Sequence, residues 1–243
     1  RALFLQGLHP LAMAGVHEHG SFETDFWARL QRTAQYVTTV GFGTRAQADA
    51  AAARVRAVHR AVRGLDPVTG GRYAATDPAL LRWVHVTEVA SLLDAVGRGG
   101  LPLTGAEADR FLAEQVRAAT LVGLEDVPTD RTALVEYFEQ VRPELLASPV
   151  ARRAALRLAV PPLSLRTELT TPARPLWTTI AGLAFALLPR WARRLYGLPG
   201  LLTTDVTATV VLRGLRTAAL RLPERWRHGP IVQQAMARAR EAS

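Results

Sequence analysis

Three observations predict an all-α fold, a single globular multi-helix domain over residues 1–243. Strand-like alternation of apolar and polar residues is nearly absent. Alanine, leucine and arginine recur at helical spacing along most of the chain, and helix-start signals punctuate it.

Taken in order, the periodicity predicts helices over 2–18 and 25–40. "TRAQ" (44–47) reads as a capping box that opens a helix over 45–63. Asp77-Pro78 reads as an N-cap followed by proline in the first turn, opening 78–97, and "TGAE" (104–107) as a second capping box opening 105–122. Further helices are expected over 130–146, 149–158, 176–195, 204–220 and 224–240. The weakly periodic, proline-rich "PPLSLRTELTTPARP" (161–175) reads as an irregular connection on which a C-terminal helical group folds back. Gly64, just past the third helix, is expected to end it.

Composition narrows the chemistry. Hydrophobic residues make up 49% and charged residues 21%, the balance of a folded protein rather than a disordered one. There is no cysteine, which excludes disulfides, zinc fingers and thiolate-bound haem or iron–sulfur clusters. All 30 basic residues are arginine, so lysine Schiff-base and P-loop chemistry are excluded as well. The net charge of +9 is spread among alanine and leucine with no dense basic tail, a compositional bias rather than a nucleic-acid footprint. The longest apolar run, "LWTTIAGLAFALLP" (176–189), falls short of the roughly 20 residues of a membrane span; followed by "RWARRLYG", it suits a buried helix or a peripheral contact with a membrane surface. No secretory pattern opens the chain, so a cytoplasmic setting, with membrane association, is the expectation.

Three helices carry polar residues on their apolar faces. At roughly 100° per residue, Ala48, Ala51, Ala52, Val55, Val58 and Val62 fall in an arc of about 120° that includes His59 and leaves out Arg54, Arg56, Arg60 and Arg63. His59 is therefore either a core histidine with both nitrogens satisfied or a metal or haem ligand. On 25–40, Phe26, Leu30, Val37 and Val40 define a stripe that Arg29 and Thr33 share, while Arg32 faces away. An inward guanidinium needs a salt bridge or carbonyl, or a pocket in which Arg29 and Thr33 meet a bound oxygen species or a cofactor carboxylate. On 78–97, His85 and Glu88 share a face with Leu81 and Leu92, placed to bridge helices or to orient another group. "HEH" (17–19) is a poor metal site, because helical residues two apart point about 200° from each other. No G-x-S-x-G, H-E-x-x-H, P-loop or Rossmann pattern occurs, nor paired Glu-x-x-His.

The segments "LFLQGLHPLAMAGVHEHGSF", "RLQRTAQYVTTVGFG", "VHRAVRG", "YAATDPALLRWVHVTEV", "GLPLTGAEADRFLAEQ" and "LVGLEDVP", in that order, resemble the domain shared by bacterial rubber oxygenases and the fungal oxygenase of mycophenolic acid biosynthesis. The resemblance runs from about residue 2 to 150 and, less distinctly, through "LLPRWARRLYGLP" to about 200. It implies a mainly helical fold enclosing a haem b pocket, with molecular oxygen as co-substrate and oxidative attack on a carbon–carbon double bond of an apolar, often isoprenoid, small molecule. The family's H-x-x-V-x-G histidine, the proximal iron ligand, matches His59; its R-x-x-x-T pair on the distal side matches Arg29 and Thr33. His85 and Glu88 become candidates for orienting the other ring nitrogen of His59. The chain is shorter than the secreted rubber oxygenases, which favours a small metabolite over polymer. The alternatives are a non-catalytic haem-binding or redox-sensing protein and, with no cofactor, a nucleic-acid or membrane-surface protein.

Overall fold

Helices form from α1 to α14 in the computed structural model, which describes residues 1–20 and 25–241. They are α1 (Ala2–Gln6), α2 (Pro10–His19), α3 (Phe26–Phe42), α4 (Arg45–Ala61), α5 (Pro78–Arg98), α6 (Gly105–Leu121), α7 (Arg131–Val141) and α8 (Pro149–Ala159). The second half adds α9 (Leu165–Thr170), α10 (Ala173–Ala186), α11 (Arg190–Leu195), α12 (Leu202–Leu220), α13 (Glu224–Arg227) and α14 (Pro230–Glu241). The fold is all-α, as the sequence predicts.

Cap chemistry sets most of the starts. The Thr44 and Thr104 side chains accept from the backbone of Gln47 and Glu107, whose side chains reach back to the cap, and Asp77 accepts from the Ala79 amide. Three expected helices divide. The first breaks at residues 7–9 because Pro10, which lacks an N–H, opens α2; Pro189 separates α10 from α11, and Pro230 separates α13 from α14. The region 161–175 contains the short helix α9 and the first turn of α10, so it is less irregular than expected.

A two-stranded antiparallel hairpin, β1 (Arg63–Leu65) with β2 (Arg72–Ala74), pairs Gly64 with Tyr73. Gly64 is thus not a helix cap: α4 stops at Ala61, and Gly64 is extended in the strand. A Cβ at Gly64 would lie 2.6 Å from the Tyr73 hydroxyl and 2.8 Å from the Glu18 carboxylate, which explains the glycine by close approach.

α1 and α5 form the centre. Phe4, Leu5 and Leu8 pack with Trp83, Leu188, Ala192 and Tyr196. The indole of Trp83 donates to the Gln6 carbonyl at 3.1 Å and the Tyr196 hydroxyl to that of Phe4 at 2.7 Å, so both aromatic residues bury their area without losing a hydrogen bond. The buried hydroxyls of Thr87 and Ser91 bond back to the carbonyls of Trp83 and Thr87 at 2.8 and 2.6 Å, which lets α5 carry polar residues through the core. At the second half's hinge, the buried Arg193 donates to the carbonyls of Ala186, Leu188 and Leu201 and to Asp205, tying α10, α11 and α12 together.

Candidate functional site

The site starts from a helical hairpin. α3 and α4 pack on each other across the Gly43–Thr44 turn. His59, fifteen residues beyond Thr44, returns to the level of Arg29, fourteen residues before Gly43. The carboxyl end of α2 lies beside that level. The Gly20 carbonyl accepts from the Arg29 guanidinium, an imidazole nitrogen of His19 lies 3.2 Å from the Arg63 carbonyl, and the Glu18 carboxylate accepts from the Tyr73 hydroxyl. "HEHG" is therefore a structural joint between α3 and the end of α4. Among the described residues no group of three or more His, Asp or Glu side chains forms a metal site.

Along α4 and the two residues after it, Ala48, Ala51 and Ala52 are buried, Val55, His59 and Val62 are half-buried, and Arg54, Arg56, Arg60 and Arg63 are exposed. This matches the predicted division, with one correction: Val58 is 62% exposed. It sits at the edge of the arc, about 60° from its centre, in the last turns of α4, where Val55 and His59 are only half-buried too. Burial alone pulls the His59 pKa below 6.5, so its imidazole is neutral at pH 7. It makes no hydrogen bond to the described residues.

Arg29 is half-buried, and burial, then the neighbouring Arg32, lowers its pKa. Its partner is a backbone carbonyl, one of the two structural readings open to it. Thr33 departs from expectation. It is exposed, its hydroxyl donating to the Arg29 carbonyl at 3.1 Å. Residues 31–35 are all exposed, more than a full turn, so no neighbour covers the apolar stripe of α3 there. Phe26 at one end is buried, and Leu30, Val37 and Val40 are half-buried. An open stretch of α3 thus stands beside the last two turns of α4, where only Val55 and His59 are drawn inward.

Deeper along α3, Tyr36 was not singled out from sequence, although it continues the Arg29–Thr33 row by one turn. Burial raises its phenol pKa, Glu88 of α5 raises it further, and Arg56 of α4 opposes them. Glu88 itself is pushed up by burial, and burial holds His85, one turn away on the same face, down at about 4. Neither side chain has a hydrogen-bond partner among the described residues, so they do not form the interhelical bridge that their spacing allowed. His59, His85, Glu88 and Tyr36 are four half-buried polar groups on the three helices α3, α4 and α5. None of their polar atoms is buried without a partner, so each reaches solvent and is open to a bound species as well as to water.

A separate cavity of about 430 Å³ lies between α2 and α8, lined by Met13, His17, Val150, Arg153, Leu156 and Val160 among others. None of the predicted site residues borders it.

The chain belongs to the family described as ER-bound oxygenase mpaB/B'/Rubber oxygenase, catalytic domain, which matches it over residues 1–221. The match takes in every element from α1 to α12 and ends before α13. No curated protein and no solved structure matches the chain. No helix among the described residues is long and apolar enough to cross a membrane.

Proposed function

We propose that this oxygenase-family chain uses haem b and molecular oxygen to attack a carbon–carbon double bond of a small apolar substrate, isoprenoid chains being the class in view. The observation that carries the reading is His59: a neutral, half-buried imidazole with no hydrogen-bond partner among the described residues, beside the open stretch of α3. A neutral ring nitrogen with a free lone pair is what ligation of haem iron requires. His59 would hold the iron. When bound, haem supplies the redox chemistry that carries one dioxygen to a double bond, an oxygen atom to each carbon, giving two carbonyl products without an external reductant.

The protein's own groups then have distinct tasks. Arg29 carries a guanidinium, whose ordinary pKa lies far above neutral, and it would bring positive charge to a site where negative charge develops on oxygen. Thr33, released from the Arg29 carbonyl, offers a hydroxyl one turn away. Burial acts on Glu88 and His85 alike, and these two would be the groups that orient the other ring nitrogen of His59.

A second reading, a haem protein that senses rather than turns over, draws support from one observation: Arg29 and Thr33 each already donate one hydrogen bond to a backbone carbonyl. Haem titration followed by oxygen uptake on an apolar alkene separates the readings. The oxygenase reading expects a Soret band in wild type and Arg29→Ala alike, with turnover in Arg29→Ala lowered by about 10²–10³. No Soret band removes the haem reading. Haem binding without oxygen uptake favours the sensor, and an unchanged rate in Arg29→Ala removes its role.

A further inference from the structure

The helix α12 presents an apolar face that nothing among the described residues covers. Leu202, Val206 and Val210, spaced i, i+4, i+8, are 61%, 55% and 63% exposed, while the only buried residue of the helix is Ala208 on the opposite side. Its last residue, Leu220, and beyond it Leu222 and Trp226 are also exposed, Trp226 at 71%. The accessible surface of 14267 Å² exceeds the roughly 10,600 Å² expected of a compact chain of 26.4 kDa, so the protein carries surface in search of a cover.

The charges around this face choose among covers. Arg216, Arg221 and Arg225 are exposed and make no ion pair among the described residues. The acidic residues nearby are already engaged: Asp205 with Arg190 and Arg193, and Glu224 with Arg227 and Arg240. A second copy would bring the same unpaired arginines against these, on a chain whose net charge is +9. Arginines bordering exposed aliphatic residues and one tryptophan are instead the pattern of an element that lies in a membrane interface: aliphatic groups reach the acyl boundary, the indole sits at headgroup level, and guanidinium groups meet lipid phosphates and carboxylates.

We propose that α12 and the following turn through α13 dock the protein on an anionic lipid surface. This places the peripheral membrane contact on a different element from the 176–189 run, and it stands independently of the haem reading. The helix lies along the surface without crossing it, and an apolar substrate dissolved in the same bilayer is presented close to the protein.

The test is flotation of the whole chain with phosphatidylcholine vesicles, alone or mixed with phosphatidylserine, and with brominated lipid to quench tryptophan emission. The expected result is capture by the phosphatidylserine vesicles only, weakened as salt is raised. Arg221→Ala with Arg225→Ala should lower affinity roughly 25-fold, about fivefold per arginine. Val206→Ser with Val210→Ser should abolish capture while helical circular dichroism is retained, and Trp226→Phe should remove most of the lipid-dependent quenching. Failure of wild type to float with phosphatidylserine vesicles overturns the proposal. So does capture unaffected by both double variants, or a concentration-dependent dimer that Val206→Ser with Val210→Ser dissociates.

Discussion

α5 and α12 are nearly equal in length, 21 and 19 residues, and both are rich in valine, leucine and alanine. α5 buries seven residues and α12 one. The difference is in neighbours rather than in composition. α5 is packed by α1, α6 and α12 and closes its polar side chains on its own backbone, whereas α12 leans on α10 and α5 along one side and leaves the other to solvent. Between these extremes stand α3 and α4, buried in part and open around Thr33 and His59. Where the chain buries its helices it builds a scaffold; where it leaves them open, the polar groups of the candidate site and the proposed docking face are found.

Substitutions should sort along the same gradient. Trp83→Ala, in the closed part of α5, removes the largest fully buried side chain and its bond to Gln6, and is expected to cost about 3–5 kcal/mol in denaturant unfolding. Arg193→Ala, in α11, strands three carbonyls and removes one of the two partners of Asp205; about 3 kcal/mol is expected, since Asp205 keeps Arg190. Gly64→Ala forces a methyl against Tyr73 and Glu18 and should cost about 1–3 kcal/mol, more than the same change at Gly214 of α12, where a Cβ meets nothing within 4 Å. In the open part, Val206→Ser with Val210→Ser should stay within about 0.5 kcal/mol per site. A large loss there would mean that the face is covered in the folded chain.

Acid should act on the half-open region. His85 titrates near 6.5 when unfolded and at about 4 when folded, and His59 shifts in the same direction, so the unfolded chain takes up protons first. Stability is therefore full above pH 6.5 and is lost as pH falls from 6.5 towards 4. Glu88, raised from 4.5, works the other way at the acidic end of that window. The denaturation midpoint followed against pH checks this: His85→Leu should flatten the slope between 6.5 and 4, and an unaltered slope would remove His85 as its source.

Local chemistry made much of the fold legible. Capping boxes and the Asp77-Pro78 start depend on residues three or four apart, and they stand where the sequence put them. The helix breaks at Pro10, Pro189 and Pro230 are equally local, but apolar periodicity continues across them and hides them. The hairpin was not legible, since Gly64 answers to Tyr73 and Glu18, residues that only the folded chain brings together. In the site, the wheel turned His59 and Arg29 inward. It placed Thr33 and Val58 inside as well, and both are exposed, because a stripe says which face is apolar and not whether a neighbour reaches it. Tyr36 lay one turn along from Thr33, yet its relation to Glu88 needed α5 in place.

The central claim, that His59 holds a haem iron, rests on a half-buried residue beside the open stretch of α3. The direct measurement is haem titration of wild type, His59→Ala and His85→Ala, followed by absorption, with imidazole added to the His59→Ala protein. The account predicts a Soret band in wild type and His85→Ala, its loss in His59→Ala at matched helicity, and its recovery with imidazole. A Soret band in His59→Ala equal to that of wild type, or none in any of the three, would contradict it.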